Sequence, residues 1–378
     1  MDYLWNYTND SMKAYFNAQV FNGIEIVKDV AVLTDKNHIV DIVAANAIPE
    51  TAEKIDLQGH LLAPAFIDVQ IYGGNGKMFS HELSVESIQA TYEYCLSGGT
   101  TQFFITLATN SIGVFLKGIE TVKAYWQQGG KGMPGLHLEG PYINPIKRGA
   151  HIAHYIKKPT AEEVNMLLKH GKDVIKIMTL APEQCDDSIV KLLRDNGVIV
   201  SAGHSNCTYR QATDAFNKGI PVATHLFNAM SPLQHRAPGL VGAIYNHPSV
   251  CSSIVPDGIH VDFAAVKISK KQMNERLFII TDAVAETLSG AYQHILRGDR
   301  YELPDGTLSG SALTMMKGVK NLVEQVDIPL EEALRMASLY PAQVIGRSNE
   351  WGKIEKGYRA EFVVFDKNFN VLEVITEE

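Results

Sequence analysis

One rhythm constrains what this chain can fold into more than any other feature. Eight apolar, β-branched-rich runs recur along its middle: "LLAPAFIDVQ", "TQFFITLAT", "GLHLEG", "VIKIMTLAPE", "GVIVSAGH", "IPVATHLFN", "VCSSIVPDG" and "LFIITDA". Amphipathic stretches such as Val85–Ser97, Ser111–Gln127, Ala161–Lys169 and Tyr209–Lys218 lie between them. Buried strands alternating with helices over eight units predict a parallel α/β architecture, a (β/α)8 TIM-like barrel.

The two ends have a different texture. Residues up to about 60 read as short strands and turns ("AQVFNG", "DVAVLTD", "HIVDIVA", "EKIDLQG"), and so does the end, "GKIEKGYRAEFVVFDKNFNVLEV". The ends either decorate the barrel separately or join into one small β-sandwich domain beside it. Their shared character favours joining, with the small domain built from 1–60 and 346–378 and the barrel over 61–345.

Composition excludes several function classes. The 378 residues carry a net charge of −8, which argues against a broad basic surface for nucleic acid. No apolar run approaches the ~20 residues of a membrane span, and the opening "MDYLWNYTND" lacks a basic-then-apolar signal pattern. Cys95, Cys185, Cys207 and Cys251 are scattered without a Cys-x-x-Cys pair. Reduced thiols in a soluble cytoplasmic protein are the expectation.

Barrel enzymes build their sites at the C-terminal ends of the strands. Here Glu139 closes the third run, His204 the fifth and Asp282 the eighth; His225 lies late in the sixth, and Asp257 and His260 follow the seventh. A carboxylate is expensive to bury unless something pairs with it or coordinates to it. Glu139, His204 and His225 make a three-ligand metal set suited to zinc or another divalent transition metal, with a position left for water. The competing reading is a pair of hydrogen-bonded barrel histidines, and position alone leaves the two level. Asp282 is either an N-cap or, opposite a metal, the group that handles the proton. His137 shares the Glu139 face one layer deeper, as an interior histidine or a group bracing the site. Cys207, Met315 and Met316 read as packing residues. His235, His247 and His294 read as surface or loop residues. "YGGNGKMF" lacks the ending and spacing of a nucleotide loop.

The strings "FIDVQIYG", "LHLEGPYIN", "KRGAH", "TLAPE", "AGHSN", "THLFNAM", "PDGIHV", "TDA" and "LSGSALTM" stand in this order along the chain. With them the chain resembles the N-acetylglucosamine-6-phosphate deacetylase family of the amidohydrolase superfamily over nearly its whole length. The resemblance implies one divalent metal ion per subunit, zinc first and ferrous iron second, held by Glu139, His204 and His225. It implies Asp282 as catalytic acid and base and His151 beside the reacting amide. As substrate contacts it implies Ala150, His151, Asn228, Ala229, Arg236, Asp257, His260, Leu308, Ser309 and Gly310. The substrate is then an amino-sugar phosphate, with no nucleic-acid or membrane partner, and the assembly a homodimer whose arginine reaches in from the neighbouring subunit.

Two departures stand out. Gln70-Ile71-Tyr72 replaces the superfamily's frequent His-x-His, which implies a single tightly held metal, and Ala65 stands where Gly is usual. The alternatives are a deacetylase of another N-acetylamino-sugar phosphate, an amidohydrolase acting on a cyclic amide, a deaminase, or a metal-free scaffold. A carboxylated lysine does not suit, because Lys176 lies early in its run.

Overall fold

A computed structural model describes residues 12–376. All eight runs contribute to one parallel sheet. Its strands are Phe66–Ile71, Thr100–Ala108, Gly135–Glu139, Ile175–Leu180, Ile199–Ala202, Val222–Ala223, Cys251–Ile254 and Leu277–Ile279, neighbours in space in chain order. Beyond its last strand the sheet closes on its first: Ile71 bridges Ala283 in parallel, and the Asp282 N–H donates to the Gln70 carbonyl at 3.0 Å. Closure leaves no sheet edge at the mouth, and the α/β barrel is as expected.

The helices begin where side-chain hydroxyls can cap them. Ser84, Ser111, Thr160 and Thr208 accept backbone N–H bonds at the starts of Val85–Ser97, Ile112–Gln127, Ala161–His170 and Tyr209–Asn217. Each buries one stripe. In Ile112–Gln127 it is Phe115, Ile119 and Val122, at helical spacing, packed in the common core with Leu107 and Leu136.

The first run is divided between two sheets. Leu61–Pro64 pairs antiparallel with Glu361–Phe365 and in parallel with Gln19–Phe21; only from Phe66 does the chain enter the barrel. Periodicity marks a buried strand but not which sheet receives it, so a run that crosses between sheets reads as one. The receiving sheet holds five strands, with Ile26–Val27 and Val371–Thr376 at its edges. A four-stranded sheet of His38–Ala44, Val30–Asp35, Met12–Phe16 and Glu53–Asp56 packs on it. Tyr15, Val32 and Ile39 from one sheet meet Val20, Leu62, Phe362 and Val364 from the other in one buried cluster. Chain flanks some 300 residues apart in order thus form one sandwich. Its expected ends at residues 1–11 and 377–378, with "MDYLWNYTND", lie outside the described residues. Glu361 ties the sandwich to the barrel, accepting from Thr101 Oγ1 at 2.6 Å and Gln102 Nε2 at 2.9 Å. Among the described residues no helix is long and apolar enough to cross a membrane.

Asp68, on the first strand, spans the seam to Thr281 beside the eighth, Oδ2 lying 2.5 Å from Thr281 Oγ1. Burial pushes its pKa from 3.8 to about 7. The folded chain therefore keeps this proton where the unfolded chain has lost it. The resulting stabilisation is complete below pH 3.8 and is lost as pH rises towards about 7. Asp68→Asn should remove a pH dependence on the order of 4 kcal/mol across that window. Urea unfolding of both proteins at pH 5 and pH 8 reads it, and parallel pH profiles would contradict it.

Candidate metal centre and active-site cavity

Four strands deliver an ionisable side chain to one end of the barrel. Glu139 ends the third strand and is 1% exposed. His204, His225 and Asp282 follow the fifth, sixth and eighth strands with φ of 46°, 38° and 55°. Non-glycine residues rarely hold that region, at roughly 1–3 kcal/mol each, and keep it only where the surroundings over-determine it. Here backbone bonds do so. The His225 N–H donates to Ser253 Oγ at 2.8 Å, and the His204 carbonyl accepts from the Asn144 N–H at 2.9 Å.

The donor atoms converge. His225 Nε2 lies 3.0 Å from Glu139 Oε1 and 3.1 Å from His204 Nε2, which is 3.3 Å from the same Oε1. A tetrahedral ion with bonds near 2.1 Å has ligand-to-ligand edges of about 3.4 Å. The three atoms are therefore spaced about as one shared ion would hold them. His204 Nδ1 is 2.9 Å from the Lys147 carbonyl, which can only accept. Nδ1 therefore carries the proton and Nε2 turns its lone pair inward. His225 Nδ1 is buried without a partner, so that ring is engaged through Nε2.

Glu139, His151 and His204 also bring their ligand atoms within 4.8 Å of one another. Hydrogen bonding separates the two triples. The Thr109 N–H points at His151 Nδ1 from 3.2 Å, and an N–H can only donate. The His151 proton is thus on Nε2, 3.1 Å from Glu139 Oε2. His151 is a donor facing the centre, and His225 Nε2 is the remaining nitrogen beside Glu139 Oε1 and His204 Nε2. His137 lies apart, its nitrogens engaged by the Val69 carbonyl at 3.0 Å and Thr179 Oγ1 at 2.8 Å.

The two carboxylates have opposite environments. Burial would raise Glu139, but the imidazoles of His204 and His151 outweigh it and hold the pKa well below the usual range. Burial raises Asp282, opposed by His225 and reinforced by Glu139. Gln70 stands between them, Nε2 lying 2.8 Å from Asp282 Oδ1 and 3.0 Å from Glu139 Oε1. Tyr72, kept protonated by burial, donates to Glu139 Oε2.

A cavity of 220 Å³ covers this cluster. Ala150, Ala229, His260 and the Leu308, Ser309 and Gly310 segment line it, as does Asn228, whose Nδ2 is buried without a partner. An orphaned donor on a cavity wall suits a ligand oxygen. Two expected contacts lie elsewhere. Asp257 sits behind His260, Oδ2 2.6 Å from its Nδ1, and orients that ring without lining the cavity. Arg236 is exposed and outside the cavity of its own chain. His294, expected on the surface or in a loop, is buried in the cavity wall, with Nδ1 3.0 Å from Ser309 Oγ and its pKa lowered by burial to about 4. Tyr292 stacks on it at 6.2 Å and donates to the Thr109 carbonyl at 2.7 Å. Met78, Val284 and Tyr292 also line the cavity and went unread. The one cue for the Tyr292 pair is an aromatic and a histidine just upstream of a short hairpin.

A closed (β/α)8 barrel with a carboxylate, two inward imidazoles and a second carboxylate at its strand ends has the architecture of a metal-dependent barrel hydrolase. The amidohydrolase family profile matches residues 61–377, and that of the NagA composite domain matches 12–62. The chain is 38% identical to N-acetylglucosamine-6-phosphate deacetylase of Haemophilus influenzae, across 95% of this chain and 96% of that one. With the human protein of that name it shares 36%, over 84% and 83%. The crystal structure of the Pasteurella multocida enzyme of that name superposes with a TM-score of 0.93 at 36% identity, covering 97% of this chain and 98% of that one. This chain belongs to the amidohydrolase family, among its N-acetylglucosamine-6-phosphate deacetylases.

Gly140 follows Glu139 with φ of 86°, and a Cβ there would lie 2.1 Å from Thr109 Oγ1. Thr109 is the residue that fixes the His151 ring. Gly140→Ala should therefore cost at least ~1–3 kcal/mol of stability and lower kcat together. Denaturant unfolding and steady-state kinetics check both, and an unchanged kcat would uncouple the Thr109 contact from the site.

Proposed function

We propose that this chain removes the acetyl group from N-acetylglucosamine 6-phosphate, giving glucosamine 6-phosphate and acetate. The observation that carries this reading is the convergence of Glu139 Oε1, His204 Nε2 and His225 Nε2 within 3.0–3.3 Å, with Asp282 joined to Glu139 through Gln70. Those three residues would hold one divalent ion, zinc first by its borderline taste for imidazole and carboxylate. When bound, such an ion supplies a Lewis acid and makes hydroxide available near neutral pH.

The protein's own groups divide the remaining work. Asp282, raised by burial, suits a group that takes a proton from the attacking water and returns it to the leaving nitrogen. Gln70 occupies Oδ1, leaving Oδ2 free for that proton. His151 directs Nε2–H at the centre, placed to stabilise the developing oxyanion on the acetyl oxygen, a contribution of about 3 kcal/mol for a well-aimed donor. Asn228 and the backbone at Ala229 suit oxygens of the sugar phosphate, held far from the reacting amide so that their binding orients it. His260, braced by Asp257, adds a further polar contact.

Arg236, exposed on its own chain, fits an anion contact made across a homodimer interface. The four cysteines are unpaired, which suits the cytoplasm. Zinc, the dimer and the compartment belong to this proposal.

Acetate release from N-acetylglucosamine 6-phosphate, with the unphosphorylated sugar alongside, is the direct test. Fast release from the phosphorylated sugar alone is expected; none from either by metal-loaded protein would sink the assignment. Asp282→Asn should lower kcat by at least ~10²–10⁴-fold with metal content unchanged by elemental analysis. Mixing Arg236→Ala with Asp282→Asn subunits tests action across the dimer. Random reassociation should restore about a quarter of wild-type activity if Arg236 serves the neighbouring subunit, and nothing if it serves its own.

A further inference from the structure

The string "TLAPE" ends in a residue that the reaction does not use. Glu183 follows the fourth barrel strand, outside the cavity. Four donors meet its carboxylate. Oε1 accepts from Asn144 Nδ2 at 2.9 Å and the Asn206 N–H at 2.6 Å. Oε2 accepts from Ser205 Oγ at 2.7 Å and Cys207 Sγ at 2.9 Å. Burial, and then Glu183 itself, push the Cys207 thiol up, so its S–H remains a donor. A carboxylate offers about four lone-pair sites, and here each has a donor.

The donors come from the two loops that grip His204. Asn144 donates its N–H to the His204 carbonyl at 2.9 Å, and its Oδ1 caps the turn Pro145–Lys147 at 2.9 Å from the Ile146 N–H. The Lys147 carbonyl at the end of that turn fixes His204 Nδ1. On the other side, Ser205, Asn206 and Cys207 directly follow His204, which holds a left-handed backbone at φ 46°. Glu183 adds a side-chain bridge between these loops beside the direct Asn144 N–H to His204 carbonyl bond, joining the segment that sets the His204 ring to the segment that follows its strained backbone.

We propose that Glu183 is a positioning residue for the metal centre, a clamp that fixes the ring orientation and backbone of His204 without touching ion or substrate. This rests on the metal-site reading above. An amide cannot replace the clamp. Whichever way Gln is turned, its NH2 faces two donors and two acceptor contacts are lost.

The test titrates metal-free protein with Zn²⁺ against a chromogenic chelator and records the visible spectrum of the Co²⁺-loaded protein. Wild type should bind about one equivalent. Glu183→Gln should bind Zn²⁺ about 10- to 100-fold more weakly, with an altered Co²⁺ spectrum. Asn144→Asp keeps the cap for Ile146 but turns an oxygen towards Glu183. It should weaken Zn²⁺ in the same direction and serves if Glu183→Gln does not fold. A variant with a lower melting temperature but wild-type Zn²⁺ affinity and Co²⁺ spectrum overturns the clamp while leaving the metal reading intact. Failure of wild type itself to bind Zn²⁺ or Co²⁺ overturns both.

Discussion

The site depends on one buried charge. Glu139 lies at the end of a central barrel strand, shut away from water, and burial alone would drive its carboxyl to the neutral form. The charge of the neighbouring imidazoles favours its ionised form, and the His151 N–H, the Tyr72 O–H and the Gln70 amide are aimed at it. On the proposed function, a cation held by Glu139, His204 and His225 would complete the pairing of that charge. The left-handed backbones at His204, His225 and Asp282 follow from the same demand. Each strand must end by turning its side chain over the mouth, and only a closed, rigid barrel can hold three such turns together.

The second carboxylate differs from the first by contrast of environment. Glu139 and Asp282 are bridged by one amide, yet imidazoles pull one down while burial lifts the other. Two carboxylates with separated affinities suit the permanent anion and the proton carrier that the proposed function needs within one cavity. Glu183 adds a third kind, whose oxygens are filled by protein donors, which suits it to holding loops and not to chemistry. Acid groups of the same type thus differ in role through the number and kind of their partners.

Legibility followed distance in the chain. Helix starts were readable to within a residue from amphipathic spacing, which is local, and the caps Ser84, Ser111, Thr160 and Thr208 stand at those starts. Glu139, His204, His225 and Asp282 were readable as strand-end polar residues, since a buried run that closes on a charge is locally anomalous. His294 and Tyr292 were not, because they reach the cavity on a loop whose pattern carries no period. Nor was the division of "LLAPAFIDVQ" between two sheets, since both halves are equally apolar and their partners lie far away in sequence.

By itself the sequence determined the alternation of strand and helix, the strand-end acids and histidines, and the family resemblance, all of which rest on local pattern and residue order. The tertiary structure decided which nitrogen of each histidine faces the centre, that His151 donates through Nε2, and that Arg236 lies outside its own chain's cavity. It also decided that Glu183 joins two loops. These are matters of a few ångströms between residues tens to hundreds of positions apart, and only barrel closure, which fixes all eight strand ends at once, sets those distances.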